Sequence, residues 1–153
     1  MLRYPAKIRP DTVGYYVTFR DIPEALTAGD DFEEAKAMAA DALLVAMDFY
    51  FEDRRAVPPP STPEPDEVLI ALPASVTAKI YVLNEMIAQG VGPTELANRM
   101  GIRKQEMTRI VDLGHATKID TLAAALRAMG KDLEISVRKA QAGADHTPGL
   151  PPA

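Results

Sequence analysis

The 153 residues are 47% hydrophobic, enough for one domain or two small ones with cores of their own. There is no cysteine, which excludes disulfides and thiolate metal sites, and no apolar run approaches the roughly 20 residues of a membrane span. The net charge of −5 argues on its face against nucleic acid, but it hides an asymmetry. Residues 1–72 hold 7 basic and 14 acidic residues, a balance of −7, whereas residues 73–153 hold 10 and 8, a balance of +2. An acidic half joined to a locally basic one points to two tasks and two partners. The opening MLRYPAKIRP has no apolar signal core, so the expected location is the cytoplasm.

In chain order, RYPAKIR and GYYVTFR are short β-prone runs with a turn from Pro10 to Gly14 between them, an antiparallel hairpin. DIPEALTAG reads as a connection. A long helix follows, with Asp31 as its cap and Glu34 three residues on. Its expected apolar face is Phe32, Ala35, Met38, Ala42, Leu43, Ala46 and Phe49, with Phe49 anchoring the end and Tyr50 at the edge. The segment AVPPPSTPEPDE, residues 56–67, holds five prolines and must run extended, and EVLIALP is a further strand.

Beyond Pro73 the pattern is helical. Ser75 is the expected cap of a helix with Val76, Ile80, Leu83 and Ile87 as its stripe, closed near Gly90. Pro93 suits a first helical turn, and TELANRM follows. Thr117 and Asp120 form an expected capping box before LAAALRAM, and Gly130 ends that helix. Leu133, Ile135 and Val137 alternate as in a strand over 132–138. The tail from 140 to 153 shows no periodicity and is expected to lack order. The predicted class is therefore α+β: a small unit over 1–72, then a helical unit over 73–139 that ends in a strand.

The informative stretch is TELANRMGIRKQEMTRIVD. Gly101 breaks a run that is apolar at helical spacing on both sides, and a glycine can take the left-handed turn that ends a helix. Ala97, four residues earlier, is small enough for a second helix to cross closely. Leu96, Met100, Ile102, Met107 and Ile110 then share one interior. This is the helix-turn-helix pattern, with a second helix near 104–112 whose outward Lys104, Gln105, Thr108 and Arg109 suit the major groove of double-stranded DNA. Thr94, Arg103, Thr117 and Lys118 fall at helix ends or turns suited to phosphates. The competing reading is a structural helical bundle with a solvated basic face.

The ordered chain, about residues 2–139, resembles the HicB family of antitoxins, the subgroup with a C-terminal helix-turn-helix. The segments that carry the likeness are RYPAKI, GYYVTFRDIPEALTAGD, EEAKAMAADALLVAMDFYFED, LPASVTAKIYVLNEMI and KQEMTRIVDLGHATKID. The resemblance implies a partly RNase H-like N-terminal domain that binds a small HicA toxin. That toxin is an mRNA-cleaving ribonuclease with a double-stranded-RNA-binding-like fold and a catalytic histidine. It also implies a C-terminal domain that represses the operon encoding both proteins.

An acidic first half suits a partner that binds RNA and is therefore basic; Asp30, Asp31, Glu33, Glu34 and Asp41, with Asp48, Glu52 and Asp53, are the candidate contacts. The alternative for each is a solvated helix face. A nuclease of RNase H type needs clustered carboxylates on its strands, and RYPAKIR and YYVTF have none. His115 and His146 have neither a nucleophile nor metal-ligand spacing beside them, and no phosphate-binding glycine motif occurs. The expectation is a binding protein without catalytic residues, metal or cofactor. It would act as a homodimer or higher oligomer, with strand 132–138 paired to its copy or within its own chain. The other functional reading keeps the DNA-binding half and makes the first domain a small-molecule sensor.

Overall fold

The computed structural model describes residues 1–140 and divides into two compact units. One holds Met1–Met47 and Pro58–Leu72, and the other holds Asp48–Val57 and Pro73–Ser136. The α+β class expected from the sequence is borne out. The tail, apart from residue 140, lies outside the described residues, as does His146.

The first unit is built on one antiparallel sheet of β1 (Arg3–Pro10), β2 (Tyr15–Phe19), β3 (Leu26–Gly29) and β4 (Glu67–Ala71), in the order β3-β2-β1-β4. The expected hairpin is present, with Ala6 opposite Phe19 and Ile8 opposite Val17. On its other edge β1 pairs with β4, placing Tyr4 opposite Ile70 and Ala6 opposite Val68. Because side chains alternate along a strand, Tyr4, Ala6, Val17, Phe19, Val68 and Ile70 share one face, and all six are buried. β3 stands where the sequence suggests only a connection. It ends at Gly29, opposite Tyr15, where the chain turns into the helix and nothing larger fits. A Cβ there would lie 2.4 Å from the Ala35 nitrogen.

Helix α1 (Phe32–Asp53) opens with the expected cap. The Glu34 amide donates to Asp31 Oδ1 (2.8 Å), and Glu34 Oε2 accepts from the Asp30 amide (2.7 Å). Its buried face differs from the expected one: Ala35, Ala39, Leu43, Ala46, Met47 and Tyr50 are buried, while Met38 and Phe49 are 39% and 48% exposed. Tyr50, not Phe49, anchors the end of the helix, with the Arg55 guanidinium 4.4 Å over its ring. The stripe runs through positions 35, 39, 43, 46 and 50, which contain three alanines, so its apolar signal is weak against the bulkier Met38, Val45 and Phe49 on the solvent side.

The proline-rich segment is held at several points. In the first unit Tyr4 Oη donates to the Pro58 carbonyl (2.6 Å), Ser61 donates to Asp21 through its amide (2.8 Å) and hydroxyl (2.6 Å), and Arg20 donates to the Thr62 carbonyl (2.7 Å).

The second unit contains α2 (Ala74–Gln89), α3 (Pro93–Met100), α4 (Lys104–Ile110) and α5 (Ile119–Arg127). They surround a core of Val82, Met86, Leu96, Met107, Ile110, Leu122, Leu126 and Met129 with smaller neighbours, and Met100 and Ile102 are packed half-buried against it. Ile87, expected on the α2 stripe, is 37% exposed, and Val82 and Met86 are buried in its stead.

Three further expectations are corrected. Ser75 is not the cap of α2; the helix starts at Ala74 after Pro73, with no side-chain cap. Thr117 and Asp120 make no capping box, because α5 begins one residue later than that pattern needs, with Lys118 at its N-cap. Thr117 Oγ1 instead donates to the Arg109 carbonyl (3.4 Å). The segment 132–138 is not a strand: residues 131–140 have no regular structure, and Ile135 and Val137 are 73% and 95% exposed. Alternation makes a strand only where another strand offers its backbone groups, and no described strand of this chain pairs with it.

Candidate nucleic-acid interface

Gly101 behaves as its sequence position demands. It lies at φ 69°, ψ 30°, left-handed, at the C-terminus of α3. The chain reverses there through two bonds: Gly101 N–H to the Asn98 carbonyl (3.2 Å) and Ile102 N–H to the Ala97 carbonyl (3.0 Å). α3 and α4 are thus separated by three residues, with Ala97 and Leu96 of the first and Met107 and Ile110 of the second in one core.

Fixing Met107 and Ile110 inward turns the rest of α4 outward. Lys104, Gln105, Glu106, Thr108 and Arg109 are all exposed, as are Thr94, Arg103 and Lys118, while Thr117 is half-buried. The side chains of Arg103, Lys104, Gln105, Arg109 and Lys118 make no hydrogen bond or ion pair with another described residue, whereas Thr108 Oγ1 is spent on the Lys104 carbonyl (3.1 Å). The structure therefore brings six of the eight expected residues, Arg103, Lys104, Gln105, Thr108, Arg109 and Thr117, onto α4, its N-cap and its exit. Thr94 sits in the first turn of α3 and Lys118 at the start of α5.

The sequence pattern alone does not reveal Lys79. It is 3% exposed, on α2, and its ammonium donates to three carbonyls: Arg109 (3.1 Å), Asp112 (2.6 Å) and His115 (2.5 Å). Those carbonyls converge because Asp112 N–H bonds back to Arg109 O (3.3 Å) and His115 N–H to Asp112 O (3.2 Å), a tight three-residue winding beyond α4. Burial pushes the ammonium below the ordinary lysine range, against a smaller upward pull from the Asp112 carboxylate. One signal does point to it: Lys79 lies between Val76 and Leu83 on the apolar stripe, where a charge needs partners.

Asp30, Asp31, Glu33, Glu34 and Asp41 are all exposed at the start and along the outer side of α1. The carboxylates of Asp31 and Glu34 are occupied by the helix start. His115 is exposed in the turn after α4. Among the described residues no three of His, Cys, Asp and Glu gather as metal ligands. No described helix is long and apolar enough to cross a membrane.

The chain thus combines a sheet-and-helix unit with a helical unit that carries the outward polar α4. Comparison with known proteins identifies its class: residues 3–81 match the family of HicB-like antitoxins of bacterial toxin–antitoxin systems. The chain is 54% identical over 134 residues to Antitoxin HicB 2 of Photorhabdus laumondii, covering 88% of this chain and 95% of that one. It is 46% identical over 135 residues to Antitoxin HicB of Escherichia coli K12, covering 88% and 98%. Antitoxin HicB of Pseudomonas fluorescens is 33% identical over 141 residues, covering 92% and 97%. The chain belongs to the HicB-like antitoxin family, and an antitoxin implies a toxin as partner.

Proposed function

We propose that the chain neutralises a HicA-type mRNA-cleaving toxin through its first unit and represses its own operon through its second. The toxin is bound through exposed carboxylates on α1, and the operator, double-stranded DNA, through α3 and α4 acting as a helix-turn-helix. The observation that carries the DNA half is the split of α4 into two sides. Met107 and Ile110 are buried, and the opposite side presents Lys104, Gln105 and Arg109 with no partner among the described residues. Gln105 and Arg109 have the donors and acceptors to pair with base edges, and Thr94, Arg103, Thr117 and Lys118 flank them for phosphates. The acidic balance of residues 1–72 supports a cationic partner for the first half.

A single such helix reads few base pairs, so repression requires two copies on one operator. The segment 132–138, with Ile135 and Val137 exposed and no described strand of this chain paired with it, supports pairing with the same segment of a second copy. The role needs no catalysis, metal or cofactor of its own, and places the protein in the cytoplasm beside the mRNA that the toxin cuts.

The test joins both halves. The chain is co-expressed with the product of the gene next to its own, and is titrated onto double-stranded DNA from upstream of its own coding sequence. Growth rescue with co-purification, and sequence-specific retention of the duplex, are expected. Failure to rescue removes the toxin half and leaves a regulator whose first unit senses something else, while a duplex bound no better than unrelated DNA removes the other half. Deletion of residues 132–139 is expected to give a monomer of poor operator affinity, and a truncated dimer of full affinity refutes the pairing.

A further inference from the structure

We infer that Lys79 is a positioning residue for DNA binding: its ammonium holds the exit of α4 and the turn from Asp112 to Lys118 in the shape that presents His115 and Lys118 to the phosphate backbone. The inference rests on the DNA-binding reading above and adds a residue that touches no DNA.

The chain ends its other helices differently. After α2 and α3 a glycine in left-handed conformation, Gly90 or Gly101, turns the backbone and donates its N–H to a late carbonyl of the helix, and Gly130 does the same beyond α5. At the end of α4 stands Val111, at φ −95° and ψ 11°, which cannot reverse the chain in that way. The Arg109 carbonyl in the last turn of α4 and the Asp112 and His115 carbonyls beyond it are collected by one lysine from a different helix, 30 to 36 residues away in sequence.

Burying an ammonium is an expensive way to satisfy carbonyls that water or a glycine turn would serve. What it supplies in exchange is definition, because a single point charge with three donors fixes three carbonyls relative to one another. The clamped backbone is also the backbone of the interface. Arg109 offers its side chain outward while its carbonyl accepts from Lys79 and from Thr117 Oγ1. Gly114 N–H is taken by Asp112 Oδ1 (2.9 Å), closing the turn from its other side. His115 and Lys118, the exposed groups of this turn and its end, therefore stand at a set distance from Gln105 and Arg109. The bases and the backbone of one duplex require such a distance. A cavity of about 310 Å³, lined by Ser75, Lys79, His115 and Thr117 among others, opens beside the clamp.

The experiment compares the full chain with Lys79→Met, which keeps the stem and removes the donors, on duplex DNA from upstream of its own coding sequence. It is run at a temperature where circular dichroism shows both folded. Affinity is measured across a salt series, since the slope of log affinity against log salt counts the phosphates neutralised, about one for each phosphate that a cationic side chain meets. The expected result is at least a tenfold loss of affinity and a slope smaller by about one or two, with toxin co-purification unchanged. Wild-type affinity and slope in a folded K79M overturn the proposal. So does weaker binding with an unchanged slope, which is what loss of folded protein alone would give. Absence of specific binding by the unaltered chain overturns this proposal together with the DNA-binding reading, whereas binding that K79M leaves intact overturns this one only. Should K79M not fold, Lys118→Ala on the exposed end of the turn decides: a slope smaller by about one supports the clamped turn meeting the backbone, and an unchanged slope overturns it.

Discussion

Asn84 grips Val57 from both sides of its peptide unit: the Val57 amide donates to Asn84 Oδ1 (2.8 Å), and Asn84 Nδ2 donates to the Val57 carbonyl (3.0 Å). Val57 is 2% exposed, so water cannot replace a missing partner. Asn84→Leu is expected to lower stability by about 1–3 kcal/mol, the cost of burying unpaired polar groups. The urea midpoint followed by far-UV circular dichroism checks this, and an unchanged midpoint contradicts it.

Gly29 and Gly101 should respond differently to alanine. At Gly101 a Cβ would meet nothing within 4 Å, so the cost is that of the left-handed backbone alone, about 1–2 kcal/mol. At Gly29 the same atom would lie 2.4 Å from the Ala35 nitrogen and 2.7 Å from its Cα, both backbone, so strand or helix must move. Gly29→Ala should therefore be the more damaging, at or above the roughly 1–3 kcal/mol of an overpacked core. Thermal melts of the two variants give the order directly.

Acid should act through Glu67. Its side chain is 2% exposed and accepts from Arg20 Nε (3.0 Å) and Nη2 (2.9 Å) and from the Glu64 amide (2.8 Å). The hydrogen bond from Arg20 holds this carboxyl below the usual carboxylate range, with burial pulling the other way. A depressed folded-state value means that the pair's contribution is fully present above the unfolded value of about 4.3, and is lost as pH falls through the folded one. The stability difference between the native chain and Glu67→Gln should be constant near neutrality and shrink on acidification below that value. A difference that grows in acid would contradict this.

Gln105→Ala and Arg109→Ala are each expected to weaken specific operator binding by about 1–3 kcal/mol while leaving the fold intact, because neither side chain supports another described residue. Electrophoretic mobility shifts against specific and scrambled duplexes measure it. Unchanged affinity in both would favour a purely structural helical bundle.

What the sequence discloses depends on whether a structural demand falls on residue type. Gly101 is legible because left-handed backbone strongly selects glycine, and its spacing from Ala97, Met107 and Ile110 then orients both helices. The cap at Asp31 and Glu34 is legible for the same reason. β3 is not, because LTAG has no alternation of bulk to betray a four-residue edge strand. The face of α1 misleads where small Ala39 is buried and large Phe49 is exposed, since bulk is a poor guide to burial there. Lys79 escapes because its partners are carbonyls, which every residue provides, brought to it only by the fold.

The helical core holds three buried methionines. Met86, Met107 and Met129 are 2%, 0% and 4% exposed, and Met47 of the first unit is 0% exposed, whereas Met1 and Met38 are 64% and 39% exposed. An oxidant reaching the folded protein meets Met1 and Met38 first, and a sulfoxide at Met38 would alter only the outer side of α1. A sulfoxide at Met107 would put a polar oxygen between the two crossing helices, where no solvent waits to receive it. Oxidised Met107 would therefore mark molecules whose second unit had opened before the reagent arrived, giving the chain an internal record of its own unfolding.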